Sequence, residues 1–287
     1  MPLLLRCLAT VALLVPTLAL MLGWYMVALV DFQGEPLASF DAVRAEGGYP
    51  LLWYHLFSEA RPVEWLQWAC QGIGFCVVAS GYVHTRCRGR LLERRVFFLL
   101  SAGLLLMLAE DSLNVRHLMA DAYWVPLFES YASSRQIRMV WEGFFYLCLS
   151  SLMVAALWHM VASGATWLRP SGRLLLAYFV YGAVGFGSAL RRLGDWQERL
   201  GHWLIERTQA MELPAWQEAY RRYEAALESN PDYQFTLGYL LTDHLLEESV
   251  ELIAAMLLLS GLLIVASRYA EHVRRQGLEA QAGSRVS

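Results

Sequence analysis

Lysine is missing from this 287-residue chain, so arginine alone supplies its 23 basic side chains. Charge of either sign is scarce: 17% of residues are charged and 57% are hydrophobic, where soluble domains run at roughly 25% and 45–50%. That balance excludes an ordinary soluble domain. It also leaves no soluble basic patch of the kind nucleic-acid binding requires. Cysteine is sparse, and Cys7, Cys70, Cys76, Cys87 and Cys148 all fall in apolar runs or in one Arg-rich loop. None is placed where an oxidising compartment would favour a disulfide, and their spacing matches no zinc pattern. Nucleophile elbows, Walker loops and His-Glu-x-x-His motifs are absent, which removes the most recognisable hydrolase and nucleotide-binding signatures. Gly182, Gly185 and Gly187 lie inside an apolar run with no strand before them, a setting for close helix packing rather than phosphate binding.

What is present is a series of apolar runs near the roughly 20 residues that a membrane span needs. About six can be drawn by hydropathy: Leu3–Val30, Leu66–His84, Val96–Leu113, Val140–Val161, Leu174–Leu190 and Ser249–Ser267. The first begins like a signal peptide, with Arg6 followed by apolar residues, but it outruns the usual 7–15-residue signal core and shows no convincing small-residue cleavage site. It reads as an uncleaved span.

Arginine sets the orientation. Arg86, Arg88, Arg90, Arg94 and Arg95 face only Glu93 in the loop after the second run. Arg169 and Arg173 follow the fourth without an acid, and Arg268, Arg274, Arg275 and Arg285 outnumber Glu271 and Glu279 in the tail. Short Arg-rich segments stay cytoplasmic. All three then fall on one side of an even-span topology, with both termini inside. The segment 31–61, with Asp31, Glu35, Asp41, Glu46 and Glu59, falls outside. So does the long stretch 191–243, since long loops translocate largely regardless of charge. Trp24, Tyr25, Trp65, Trp68 and Trp141 fall at the outer ends as interfacial anchors.

The outer segments carry helical patterns. A short helix is expected near Leu51–Phe57 after turn signals at Gly47, Gly48 and Pro50. Trp196, Leu200, Trp203 and Leu204 make an amphipathic stripe, suited to the membrane interface. Pro214 opens a second helix with Trp216, Tyr220, Tyr223 and Leu227 on one face, ended by Asn230-Pro231. Tyr223–Pro231 has a flavour of the tetratricopeptide repeat, but a stack needs at least three copies. A helical cap on the outer side is the expectation. The chain then reads as a single polytopic domain over 1–287 with an inserted cap at 191–243.

Acidic residues recur where the runs meet the outer side. Glu64, Glu142 and Glu247 open runs, where the helix dipole favours a negative charge. Glu110 and Asp111 close one, where it does not. At helical spacing, His244, Glu247, Glu248 and Glu251 share a face, as do Glu64, Gln67 and Gln71. Glu110, Asn114 and His117 do so if their helix continues, and Glu142 pairs with Tyr146. Tyr178, Tyr181, Ser188 and Arg192 share a face of the fifth run. Polar faces of membrane helices turn toward a bundle interior or a water-filled cavity.

Three readings follow. The first is an ion-pair network at the helix ends, with Arg116, Arg138, Arg191 and Arg192 as partners. The second is a divalent metal held by His117, His244, Glu247 and Glu248, which would allow activated-water hydrolysis. The third is a polar-ligand or headgroup site, with Glu64, Glu110, Asp111, Asn114, Glu142, Arg192 and Glu251 as its lining. His84 and His159 sit at inner ends and could ligate a haem, but lone histidines there are ordinarily interfacial.

Three strings add a resemblance: Ser58–Trp65 leading into a run, Ala109-Glu110-Asp111-Ser112 ending the next, and Glu247-Glu248-x-x-Glu251 opening the last. The set resembles an uncharacterised bacterial multi-pass inner-membrane family with acidic span-end motifs. Those proteins often place Trp-Gly-Gln after the acidic pair, where this chain has Leu113-Asn114-Val115-Arg116. The resemblance implies a bacterial inner-membrane protein and supplies no activity.

The expectation is an all-α membrane bundle of about six transmembrane helices with a helical periplasmic cap. Its function is expected to be binding of a polar ligand, lipid headgroup or cation in a periplasm-facing pocket. The alternatives are a metal-dependent membrane hydrolase or lipid-modifying enzyme, and a non-catalytic scaffold or accessory subunit of a membrane complex. The bilayer, and other membrane proteins for the scaffold, are the partners implied. Whether the chain is an enzyme is left open.

Overall fold

The computed structural model describes residues 2–37, 51–88, 90–190, 194–209, 212–229 and 236–283. Every regular element among them is helical, as the apolar periodicity required. In chain order these are α1 (Pro2–Val27), α2 (Leu52–Phe57), α3 (Pro62–Cys87), α4 (Leu91–Leu113), α5 (Val115–Met119), α6 (Val125–Phe128), α7 (Ser134–Ala162), α8 (Gly172–Leu190), α9 (Trp196–Gln209), α10 (Pro214–Ser229), α11 (Leu237–Leu240) and α12 (Glu248–Gly283). Wider π turns occupy Ala28–Phe32, Ala120–Trp124 and Leu241–Glu247.

Among the described residues, four stretches are long and apolar enough to cross a membrane: Pro2–Phe32, Leu91–Leu113, Ser134–Ala162 and Leu237–Gln281. A shorter apolar stretch covers Gly172–Gly187 in α8. The expected second run lies in α3, outside that set, because α3 spends buried positions on Gln67, Gln71 and Thr85.

The chain divides into two compact units. The first comprises Met1–Val15, Gln67–Ala189 and Ile253–Ser287. Its core joins Phe97, Leu100 and Leu104 of α4 to Met153, Ala156 and Met160 of α7, Leu174 and Ala177 of α8, and Leu258 and Leu262 of α12. Gly103 leaves room for the Met153 side chain, whose Cε would lie 2.4 Å from any Cβ there. Ser260 and Gly261 are the close-approach point of α12. The buried Ser260 hydroxyl donates to Ala9 O at 2.6 Å and accepts from Arg173 Nη1 at 2.7 Å. A Cβ on Gly261 would sit 2.7 Å from Leu174 N. Small residues are what let helix backbones approach this closely. Outward faces of α7 and α8 expose Phe144, Leu147, Val154, Trp158, Phe179 and Phe186.

The second unit comprises Pro16–Leu66 and Leu190–Leu252. Trp53, Phe57, Ile205, Trp216, Tyr223, Leu237 and Leu245 are buried together in it. The short helix expected near Leu51–Phe57 forms as α2, and the two amphipathic patterns form as α9 and α10. Asn230-Pro231, the expected end of α10, lies outside the described residues. The carboxylate of buried Asp31 accepts from the backbone N–H groups of Leu52 at 2.8 Å and Trp53 at 3.0 Å, tying the first π turn to the start of α2.

Candidate functional site

The acidic end of α4 explains itself once the chain beyond it is followed. The helix stops at Asn114, whose backbone is left-handed at φ 49° and whose N–H donates to Glu110 O at 2.8 Å. Asparagine is one of the few side-chain-bearing residues that tolerates this conformation. The turn brings Arg116 back over the helix end. Its backbone N–H donates to Glu110 Oε2 at 2.7 Å, and its Nε lies 2.9 Å from Glu110 Oε1. The guanidinium thus meets a carboxylate that the α4 dipole alone would disfavour.

Arg116 serves more than Glu110. Its Nη1 donates to the Tyr146 hydroxyl, and its Cζ stands 5.1 Å from the Tyr146 ring centroid. Its Nη2 lies 3.1 Å from His117 Nε2. A guanidinium only donates, so that ring nitrogen accepts and the imidazole proton sits on Nδ1. His117 Nδ1 faces Glu142 Oε1 at 3.8 Å. Trp141 Nε1 donates to Arg116 O at 2.9 Å, fixing the turn against α7. The order is a chain: Glu110, Arg116, His117, Glu142, with Tyr146 beside it. Glu142 is 2% exposed, and Glu110 and Arg116 are 9% exposed. At Asp111, the residue next to Glu110, Gln71 Nε2 of α3 donates to Oδ2 and also, at 3.2 Å, to the Tyr181 hydroxyl.

The first unit therefore brings together Glu110, Asp111, Glu142 and His117 of the expected residues, and Asn114 contributes its turn. The route differs from the sequence reading. Glu110, Asn114 and His117 do not share a face of one continuous helix, because α4 breaks at Asn114 and α5 starts anew. Arg116, expected only as an ion-pair partner, is the hub. An Asn placed directly after an apolar run is itself a helix-stop signal, and it marks the reversal that brings Arg116 back.

The remaining expected residues belong to the second unit or lie outside the described residues, as Arg192 does. Glu64 is buried at the start of α3 and accepts from the N–H of Ala60, which takes a left-handed turn at φ 57°. Glu247 accepts from Gln197 Nε2 at 3.0 Å. His244 meets the Tyr54 ring edge-on at 5.5 Å between centroids. Glu248 is buried and Glu251 half-buried. The single α-helical stripe expected for His244, Glu247, Glu248 and Glu251 does not hold. Residues 241–247 form a π turn, whose extra residue per turn offsets His244 from the α12 positions.

Among the described residues, no three His, Cys, Asp or Glu side chains are grouped so as to hold a metal ion. His84, the inner-end histidine of α3, stacks edge-on with Tyr269.

Comparison of the chain with family models, with characterised proteins and with solved structures found no match.

Proposed function

We propose that this chain is a bacterial inner-membrane protein of about six spans, with both termini cytoplasmic and residues 191–243 forming an inserted periplasmic cap. In this reading it binds a polar ligand, lipid headgroup or cation at the outward end of α4 and α7. The observation that carries the binding function is the chain Glu110–Arg116–His117–Glu142, buried except for the half-buried His117. One ion pair would neutralise Glu110. Glu142, Asp111 and His117 are further titratable groups collected at the same place, and ionisable groups within membrane helices default to a functional role. A metal-dependent hydrolase would require a donor group that the described residues do not offer.

The test is thermal denaturation of the full chain in detergent against a panel: ethanolamine, inorganic phosphate, a hexose, magnesium, phosphatidylethanolamine and phosphatidylglycerol. At least one probe is expected to raise Tm in the wild type and to lose that effect in Glu142→Gln. No response from any probe, or an equal response in the variant, overturns the reading.

A further inference from the structure

Next to Glu110 in the chain, Asp111 belongs to a second polar group that the ion-pair chain does not use. Gln71 of α3, Asp111 of α4 and Tyr181 of α8 meet through the Gln71 amide nitrogen. Gln71 is 0% exposed. Its nitrogen spends its two hydrogens on Asp111 and Tyr181, while its Oε1 has no hydrogen-bond partner among the described residues. Tyr178, one turn along α8 on the same face, also buries a hydroxyl with no partner among them. Native proteins rarely leave a buried acceptor without a donor. Here the orphan oxygen belongs to the amide that already holds a carboxylate.

The group that fits is a donor that also carries positive charge. We propose that Asp111, Gln71 and Tyr181 form an inner subsite for a primary ammonium group. Its N–H bonds go to the Asp111 carboxylate, Gln71 Oε1 and the Tyr181 oxygen, three acceptors from three helices. A quaternary ammonium has the charge but no N–H, so it leaves Gln71 Oε1 unsatisfied. A neutral hydroxyl supplies the donor and leaves Asp111 uncompensated, because Arg116 is engaged by Glu110, Tyr146 and His117. The ammonium can arrive on a free amine or on the headgroup of phosphatidylethanolamine. This inference rests on the ligand-site reading above and names the chemistry that site selects.

The experiment compares N–H-bearing with N-methylated probes. The full chain in detergent is titrated with ethanolamine and with choline, and in nanodiscs with phosphatidylethanolamine and with phosphatidylcholine. The expected result is a Tm rise with ethanolamine and not choline, or retention of phosphatidylethanolamine over phosphatidylcholine in native mass spectrometry. The first outcome identifies a free amine and the second a lipid headgroup, and each supports the subsite. Gln71→Leu and Asp111→Asn should each weaken the response by roughly tenfold or more, as loss of a charge-assisted bond implies. Gln71→Met replaces Gln71→Leu if the latter fails to fold. Equal responses to the methylated and unmethylated probes, or a response untouched by these variants, overturn the subsite. If a non-amine probe binds in a Glu142-dependent way while both amine arms stay flat, the subsite falls and the ligand-site reading stands.

Discussion

Arg116 binds Glu110 twice, through its backbone N–H at 2.7 Å and its Nε at 2.9 Å. The contact joins residues six positions apart around the left-handed turn at Asn114. It places one cation on a carboxylate that is nearly out of water. Removing one partner of a buried pair leaves the other charge uncompensated, which costs about 3–5 kcal/mol. Arg116→Met is therefore expected to lower stability by that order in detergent thermal or denaturant unfolding. Glu110→Gln combined with Arg116→Met should cost less than the sum of the two single changes. Strict additivity would show that the pair is not energetically coupled.

The apolar runs made the helices legible, since a run of that length without turn residues has few alternatives to a helix. Glu64 was readable as a helix-opening acid and does lie in the first turn of α3, where it holds the Ala60 N–H. Glu142, read the same way, lies more than two turns inside α7, which starts at Ser134, and Glu247 ends the π turn ahead of α12, because polar residues extend both helices beyond their apolar runs. The Gln71–Asp111–Tyr181 contact was not readable. Gln71 is 40 residues from Asp111 and 110 from Tyr181, and helical spacing relates only neighbours on one helix. The π turn at 241–247 was hidden for a different reason. Its hydrogen bonds shift by one residue from the α pattern, and no side chain in Leu-Thr-Asp-His-Leu-Leu-Glu announces that shift.

Asp31 offers a test in the second unit. Its two oxygens take the N–H groups of Leu52 and Trp53, which begin α2 without a side-chain cap of their own. Trp53 packs edge-on against Trp216 at 5.4 Å, and Phe32 stacks on the same Trp216 at 4.8 Å. Asp31→Ala removes two charge-assisted bonds and is expected to cost about 3 kcal/mol. Asp31→Asn, which keeps one acceptor oxygen, should cost less. Near-UV circular dichroism follows the Trp53–Trp216 packing, and an unchanged spectrum in Asp31→Ala would contradict this role.

Three glycines on exposed and packed helix faces make a graded series. A Cβ on Gly201 would lie 1.9 Å from Gly238 O, where α9 crosses α11. A Cβ on Gly261 would lie 2.7 Å from Leu174 N. Both obstacles are backbone atoms that no rotamer change can move, so Gly201→Ala and Gly261→Ala are expected to cost about 1–3 kcal/mol. Gly277, in α12, has no atom within 4 Å of its Cβ position. There Gly277→Ala gains helix propensity and should stabilise by up to about 1 kcal/mol. Thermal unfolding of the three variants checks the sign at each site.

The number of spans can be decided at one turn. Among the described residues, four helical stretches meet the length and hydropathy of a span, while α3 and α8 are the two further crossings of the six-span reading. The two counts place the same loops on opposite sides. With six crossings, Ser133 is periplasmic and the Gly164 turn is cytoplasmic. With α1, α4, α7 and α12 alone, and the same proposed cytoplasmic termini, the assignments exchange. Arg169 and Arg173 follow Gly164 with no acid between them, the pattern by which the proposed six-span reading puts that turn on the cytoplasmic side. A phosphatase fused after Ser133 is therefore expected to be active in a bacterial host, and one fused after Gly164 inactive. The reverse pattern would remove α3 and α8 from the set of spans. It would also turn the end of α4, with Glu110 and Asp111, toward the cytoplasm, so this fusion pair also tests which compartment supplies the ligand.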